Sequence, residues 1–308
     1  MALRSEIRKP KSEIRGALGP RSMSTLQQIG AWWSRHPMTY GSDHGQAVYE
    51  DGAYTVGSPE FFGRLDQELY QWNAPLHTDV PFGRIFPYQR YQGRRVLEIG
   101  CGLGAMTALW AKHGAQVSAV DLSPKAVELT QARLAQQELP GSVSIANAQE
   151  LPFPDGAFAY VYSWGVLHHA PRLDRSIAEL MRVLEPGGEY GVMLYNRNSL
   201  LYRYLIQYVE GFLHDEARHL SPLGLASRYS DGARAEGNPH TWPVTRRELR
   251  QLLSPYSRTA RVRCFGTDLD TLLPGLLPLV GGALPQWVRK PWARRFGWSV
   301  WASGVKRT

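Results

Sequence analysis

From residue 94 onward the chain alternates short apolar runs with amphipathic stretches of helical period. RRVLEI (94–99) predicts a strand that runs into a glycine-rich turn, followed by a helix to Lys112. QVSAV (116–120) predicts a second strand. Ser123-Pro124 then opens a helix whose Ala126, Val127, Leu129, Ala132 and Leu134 share one face. SVSIA (142–146) and AFAYVYS (157–163) predict strands three and four. A helix over 173–184 stops at Pro186-Gly187-Gly188, and GEYGVMLYN (188–196) predicts a fifth strand. Alternating strands and helices imply a parallel sheet covered on both faces, with right-handed crossovers.

The flanks lack this rhythm. Residues 23–92 are irregular and rich in Trp, Tyr and Phe, with one clear helix over 59–71, where Ser58 is the N-cap and Pro59 the first helical residue. Residues 198–243 read as helix plus loop, 245–253 as a helix, and ARVRCFG (260–266) and WSVWASGVK (298–306) as late strands of the same sheet. The expected organisation is therefore a disordered basic extension (1–22), an aromatic-rich cover (23–92), the ligand-binding core (93–197), a substrate lid insertion (198–243) and a completion of the core sheet (244–308). No internal repeat is present, which excludes solenoids.

Charge changes the picture less than its total suggests. The chain of 308 residues carries a formal +8. Residues 1–22 hold +4 and residues 289–308 hold +6, which leaves −2 for everything between. A nucleic-acid enzyme would carry the excess around its cleft, so no nucleic-acid partner is expected. The N-terminus has no apolar core of a secretory signal, and two cysteines cannot make a four-cysteine zinc site or a disulfide framework. No His/Cys/carboxylate cluster has ligand spacing, so no metal is expected. These features point to a cytoplasmic protein. The uncharged run 271–288 approaches the length of a membrane span, but its three prolines and three glycines argue against a regular helix.

The chemistry concentrates in Glu98-Ile99-Gly100-Cys101-Gly102-Leu103-Gly104, where the first strand ends. Glycines let the backbone turn sharply and approach a ligand, and open α/β sheets bind ligands at the carboxyl ends of their strands. Gly100-x-Gly102-x-x-Ala105, with Asp121 farther on, also satisfies a dinucleotide fingerprint, so a nicotinamide-dependent oxidoreductase is one reading. Glu98 opposes it. A carboxylate beside the turn repels a pyrophosphate and suits an ammonium or sulfonium, as in S-adenosylmethionine. A non-catalytic binding module on the same fold is the other alternative.

Four ordered motifs, VLEIGCGLG (96–104), VDLSPKAVELTQARL (120–134), NAQELPFPDGAFAYVYSWGVLHHAP (147–171) and LMRVLEPGGEYGVMLYNR (180–197), resemble the class I S-adenosylmethionine-dependent methyltransferases. The resemblance is to their small-molecule subgroup, similar to the ubiquinone-type enzymes of the methyltransferase type 11 family. It implies a Rossmann-like, doubly wound, mainly parallel seven-stranded α/β sheet with helical substrate covers. It also implies S-adenosylmethionine as cofactor. Gly100, Gly102 and Gly104 would lie against its methionine part with Glu98 nearby, Asp121 would accept the ribose hydroxyls, and Leu122 would pack on the adenine. Asn147, Ala148 and Gln149 follow the third strand where the family usually has an Asp, so Asn147 would have to accept through its amide oxygen. Ser163 and Trp164 would border the sulfonium.

His168 and His169, just past the fourth strand, are the expected general bases, since an imidazole titrates near neutrality; either could instead cap the Pro171 turn. Tyr195, at the end of the fifth strand, either orients the acceptor or packs. Cys101 reads as a small packed residue. Covers rich in Trp, Tyr and Leu suit a small, fairly hydrophobic metabolite, such as a secondary-metabolite intermediate, methylated at O or N with C open. Trp287, Trp292, Trp298 and Trp301 interleave with Arg289, Lys290, Arg294 and Arg295, a mixture that suits weak contact with a membrane surface or a hydrophobic lid before the last strand.

Overall fold

The computed structural model describes residues 25–37, 54–231, 237–266 and 285–308. The expectations for the extension 1–22, and for most of the apolar run 271–288, lie outside the described residues. Seven strands, β1 (Arg95–Ile99), β2 (Gln116–Asp121), β3 (Ser142–Ile145), β4 (Phe158–Trp164), β5 (Leu184–Tyr195), β6 (Arg261–Phe265) and β7 (Ser299–Val305), form one sheet in the order β3-β2-β1-β4-β5-β7-β6. The first five are parallel, as crossover helices require. β7 runs antiparallel between β5 and β6, so the two late strands complete the same sheet.

Strand alternation divides the core between two faces. Leu97 and Ile99 pack with Ile177 and Leu180 of α5 (Leu173–Val183) and with Leu249 and Leu253 of α7 (Arg246–Leu253). Val96 points the other way, into a cluster with Leu69 of α2 (Pro59–Trp72), Trp110 of α3 (Ala105–Lys112) and Leu134 of α4 (Pro124–Gln136). β4, central and covered on both faces, is buried at every position.

Helix starts follow capping chemistry. The Ser58 hydroxyl accepts from the Phe61 amide at 3.2 Å, and the Ser123 hydroxyl accepts from the Ala126 amide at 3.2 Å. Thr245 forms a capping box with Glu248 at the head of α7. Two helices differ from the expectation. α1 (Thr25–Arg35) stands in the cover whose sequence pattern is irregular, burying Ile29 and Trp32. α8 (Gln286–Phe296) replaces the expected lid loop, even with Pro291 inside it. The amide that Pro291 lacks would have bonded the carbonyl of Trp287, near the exposed start of the helix, so the loss is small there. The insertion after β5 contains a π-type helix (Leu201–Leu213) and α6 (Pro222–Tyr229). Among the described residues no helix is long and apolar enough to cross a membrane.

One contact makes the β5–β7 junction sensitive to volume. A Cβ added at Gly191 would stand 2.2 Å from the buried Trp301 ring. Gly191→Ala is expected to destabilise the protein by about 1–3 kcal/mol through overpacking, read as a lower urea midpoint at unchanged m. An unchanged midpoint would show that the indole can shift.

Candidate active site

The turn after β1 is built from three left-handed glycines, with φ of +85° at Gly100, +53° at Gly102 and +76° at Gly104. Gly100 has a second reason for its identity. A Cβ there would lie 2.2 Å from Val166, which follows β4, so the two strand ends meet only because the position is bare. At Gly102 a Cβ would meet nothing within 4 Å, leaving the backbone open to the space above it. Gly104 caps α3, and a Cβ there would strike Thr130 at 2.8 Å.

Above this turn lies a cavity of about 200 Å³ bounded by the ends of β1, β2, β4 and β5 and roofed by Leu26, Ile29 and Trp33 of α1. Of the predicted cofactor residues, Glu98, Gly100, Gly102, Asp121, Leu122, Asn147 and Ala148 line it. Gly104, Gln149 and Ser163 are not among the lining residues. Ser163 is fully buried and its hydroxyl donates to the Ile99 carbonyl at 2.8 Å, tying β4 to β1. Gln149 turns back on Asn147, whose side-chain oxygen accepts from the Gln149 amide at 3.0 Å. The acceptor expected at Asn147 is thus engaged in its own turn, and what the residue keeps to offer a ligand is its amide N–H groups.

Glu98 is buried at 2% exposure, and desolvation pushes its carboxyl up to about 8, against a counteracting hydrogen bond from the Thr107 hydroxyl. Asp121 is also shifted upward by burial. Its Oδ2 accepts from the Gly102 amide at 3.0 Å and its Oδ1 from the Ser123 amide at 2.9 Å, which pins the glycine turn to β2. The Leu122 amide also hydrogen-bonds this carboxyl, so of about four acceptor sites roughly one remains for a ligand hydroxyl. Burial likewise raises the Cys101 thiol well above its ordinary value, in keeping with a packed side chain.

The predicted catalytic residues separate. His168 does not line the cavity. It is fully buried behind Tyr195, ring centroids 3.8 Å apart, and burial depresses its basicity far below the usual imidazole range. The expectation of His168 as a base is corrected accordingly, since a base must be reachable. His169 and Tyr195 do line the cavity. The His169 Nδ1 lies 3.0 Å from the His240 carbonyl, which can only accept, so Nδ1 carries the proton and Nε2 is left with its lone pair. Nε2 meets no hydrogen-bond partner among the described residues and lies 3.9 Å from Asp231 Oδ2. The Tyr195 hydroxyl donates to Asp231 Oδ1 at 2.6 Å, and Asn238 donates to Asp231 Oδ2 at 2.5 Å. Asp231, Asn238 and Thr241 come from the insertion after β5, and sequence reasoning missed them because polar loop residues without spacing carry no signal. Trp33 meets the His169 ring edge-on at 4.9 Å, another contact the sequence did not announce.

Among the described residues no group of three His, Cys, Asp or Glu side chains could hold a metal ion. The residues do fit S-adenosylmethionine. A bare backbone at Gly102 and two buried carboxyl groups line one cavity, and the ligand brings two cationic centres, ribose hydroxyls and no phosphate.

Comparison with known proteins agrees. Residues 97–192 match the family model of a methyltransferase domain, Methyltransf_11. An uncharacterized protein of Mycobacterium tuberculosis is 43% identical over 101 residues, covering 33% of this chain and 37% of that protein, so the chain spans little more than a third of that relative's length. The ubiquinone biosynthesis O-methyltransferase of Coxiella burnetii is 29% identical over 175 residues, covering 52% of this chain and 75% of the enzyme. Among solved structures, the geranyl diphosphate C-methyltransferase of Streptomyces coelicolor A3(2) aligns with a TM-score of 0.53 at 14% identity, over 93% of this chain and 98% of that one, a likeness of fold. Over residues 97–192 the chain is therefore similar to methyltransferase domains, and it carries that segment on the seven-stranded sheet described above.

Glu98 carries a pH signature of its own. Its carboxyl is near 8 when folded and near 4.5 when unfolded, so between these values the unfolded chain releases a proton that the folded one keeps. Stability from this group is intact below pH 4.5 and is lost as pH rises through 8. Urea unfolding of the ligand-free protein at pH 5 and pH 9 should show a decline, of order a few kcal/mol, that Glu98→Gln removes. The same decline in both proteins would show that Glu98 ionises normally.

Proposed function

We propose that this chain transfers a methyl group from S-adenosylmethionine to an oxygen or nitrogen of a small, fairly hydrophobic metabolite, of the kind found in secondary metabolism. The observation that carries the reading is one cavity lined together by Glu98, Asp121, Gly102 and His169, with the His169 ring held by the His240 carbonyl. The family match supports the cofactor, and no comparison supports a nicotinamide reading. The cofactor, when bound, supplies an electrophilic methyl on a sulfonium.

The chain's own residues do the rest. Gly102 gives the ligand close approach to the backbone, and Asp121 offers its remaining acceptor site to the ribose. Leu122, Ala148 and α1 exclude water from the apolar wall. His169 Nε2 accepts the proton that the acceptor's hydroxyl or ammonium gives up, and Asp231, 3.9 Å away, stabilises the imidazolium that results. Tyr195, held by Asp231, fixes the polar edge of the acceptor.

Calorimetric titration with S-adenosylhomocysteine tests the cofactor, and mass gain over a panel of apolar phenols and amines tests the acceptor. His169→Asn should leave the calorimetric affinity within about twofold and lower kcat by roughly 100-fold or more. Undiminished turnover in that variant would mean that transfer needs no base here.

A second reading concerns α8. Trp287 is 76% exposed and Trp292 46%, beside the exposed Lys290, Arg294 and Arg295. Indoles at headgroup depth with cations against anionic lipid suit an interfacial helix. Co-sedimentation with phosphatidylserine vesicles should exceed that with phosphatidylcholine vesicles, and should fall in high salt and in Trp287→Ser. Equal sedimentation with both vesicles would reject it.

A further inference from the structure

We propose that Arg133 forms a carboxylate-binding subsite in the wall of the cavity, a role that rests on the methyltransferase reading above. Arg133 is on α4, is 1% exposed and lines the same cavity as Gly102 and Leu103. A buried guanidinium is uncommon, because its charge must be matched by partners. Only part of it is. Nη1 donates to Asp66 of α2 at 2.6 Å, and the guanidinium carbon stands 4.4 Å from the centre of the Phe62 ring. Nε and Nη2 are buried and meet no acceptor among the described residues.

The pattern of used and unused donors is specific. Nε–H and Nη2–H form one edge of the guanidinium, two parallel donors whose spacing matches the two oxygens of a carboxylate. Asp66 takes the other side, so the ion pair fixes the group without consuming the fork. Phe62 sets the plane. Thr130, one turn earlier on α4, donates to the Gly102 carbonyl at 3.1 Å, which fixes the helix and the glycine turn against each other. Leu65, Leu69 and Ala126, which line the same cavity, have no side-chain acceptor, and Tyr70 of α2 interacts electrostatically with both Arg133 and Asp66.

Charge complementarity favours the amino-acid end of the cofactor as the source of the carboxylate. The wall carries two carboxyl groups, Glu98 and Asp121, and one guanidinium. S-adenosylmethionine carries two cationic centres and one carboxylate. An acceptor bearing a carboxylate would satisfy the same fork, and the test separates the two sources.

The variants are Arg133→Lys, which keeps the ion pair with Asp66 but loses the second edge, and Arg133→Met combined with Asp66→Asn, which removes the pair together so that no charge is left unpaired. Thermal unfolding confirms that each is folded. Each is titrated calorimetrically with S-adenosylhomocysteine and with 5′-methylthioadenosine, which shares the nucleoside thioether but lacks the amino-acid end. Affinity for S-adenosylhomocysteine should fall about 10- to 100-fold in both, while that for 5′-methylthioadenosine stays within twofold. If S-adenosylhomocysteine is unaffected but octanoate binds the S-adenosylhomocysteine-saturated wild type and neither variant, the subsite stands and serves the acceptor. Unchanged binding of all three compounds overturns the proposal, and so does an equal loss for both nucleosides. If the wild type binds neither nucleoside, the methyltransferase reading fails instead; octanoate binding to the free protein that depends on Arg133 then keeps the subsite, and its absence ends both.

Discussion

The ligand end of the sheet depends on how β1 becomes α3 within five residues. A chain leaving a buried strand must reverse, present its amides and make room for what sits above it. Left-handed conformations at Gly100, Gly102 and Gly104 provide the reversal. The room has two origins, because Gly100 lets Val166 approach and Gly102 leaves its own surface bare. Asp121 then holds the turn by accepting from the Gly102 amide, so the second strand sets the shape of the loop after the first. Glu98 closes the arrangement as a carboxyl placed where water cannot reach it.

Polar groups elsewhere in the site are organised by the insertion after β5. Tyr195 ends the strand, but its hydroxyl takes its direction from Asp231, which Asn238 also holds. The His240 carbonyl selects the tautomer of His169. The strand ends contribute side chains to the cavity wall and the insertion orients them. Loop polar residues of this sort contribute by being satisfied, since a buried hydroxyl or carboxylate without partners is costly.

Much of the scaffold was legible because its signals are local. Apolar runs bounded by turns mark β1 to β5, Ser58 and Ser123 mark helix starts, and the glycine turn announces a ligand. The residues that escaped are those whose meaning depends on distant partners. Arg133 reads as the solvated base of an amphipathic helix until Asp66 and Phe62, from a helix earlier in the chain, enclose it. Ser163 reads as a strand-end polar residue at the site, yet its hydroxyl is spent on the Ile99 carbonyl. His168 and His169 are indistinguishable in sequence, and a short 3₁₀ turn over Leu167–His169 sends one into the core and the other to the cavity. Asn147 was expected to serve a ligand and serves its own turn first.

The roof of the cavity bears on its shape. α1 is fastened to the core by small-residue and hydroxyl contacts: Gly30 lies against Leu122, and the Ser34 and Ser123 hydroxyls are 2.8 Å apart. Leu26, Ile29 and Trp33 of the same helix line the cavity. The depth at which α1 seats on Leu122, set by the missing side chain at Gly30, therefore also sets the height of the space above the glycine turn.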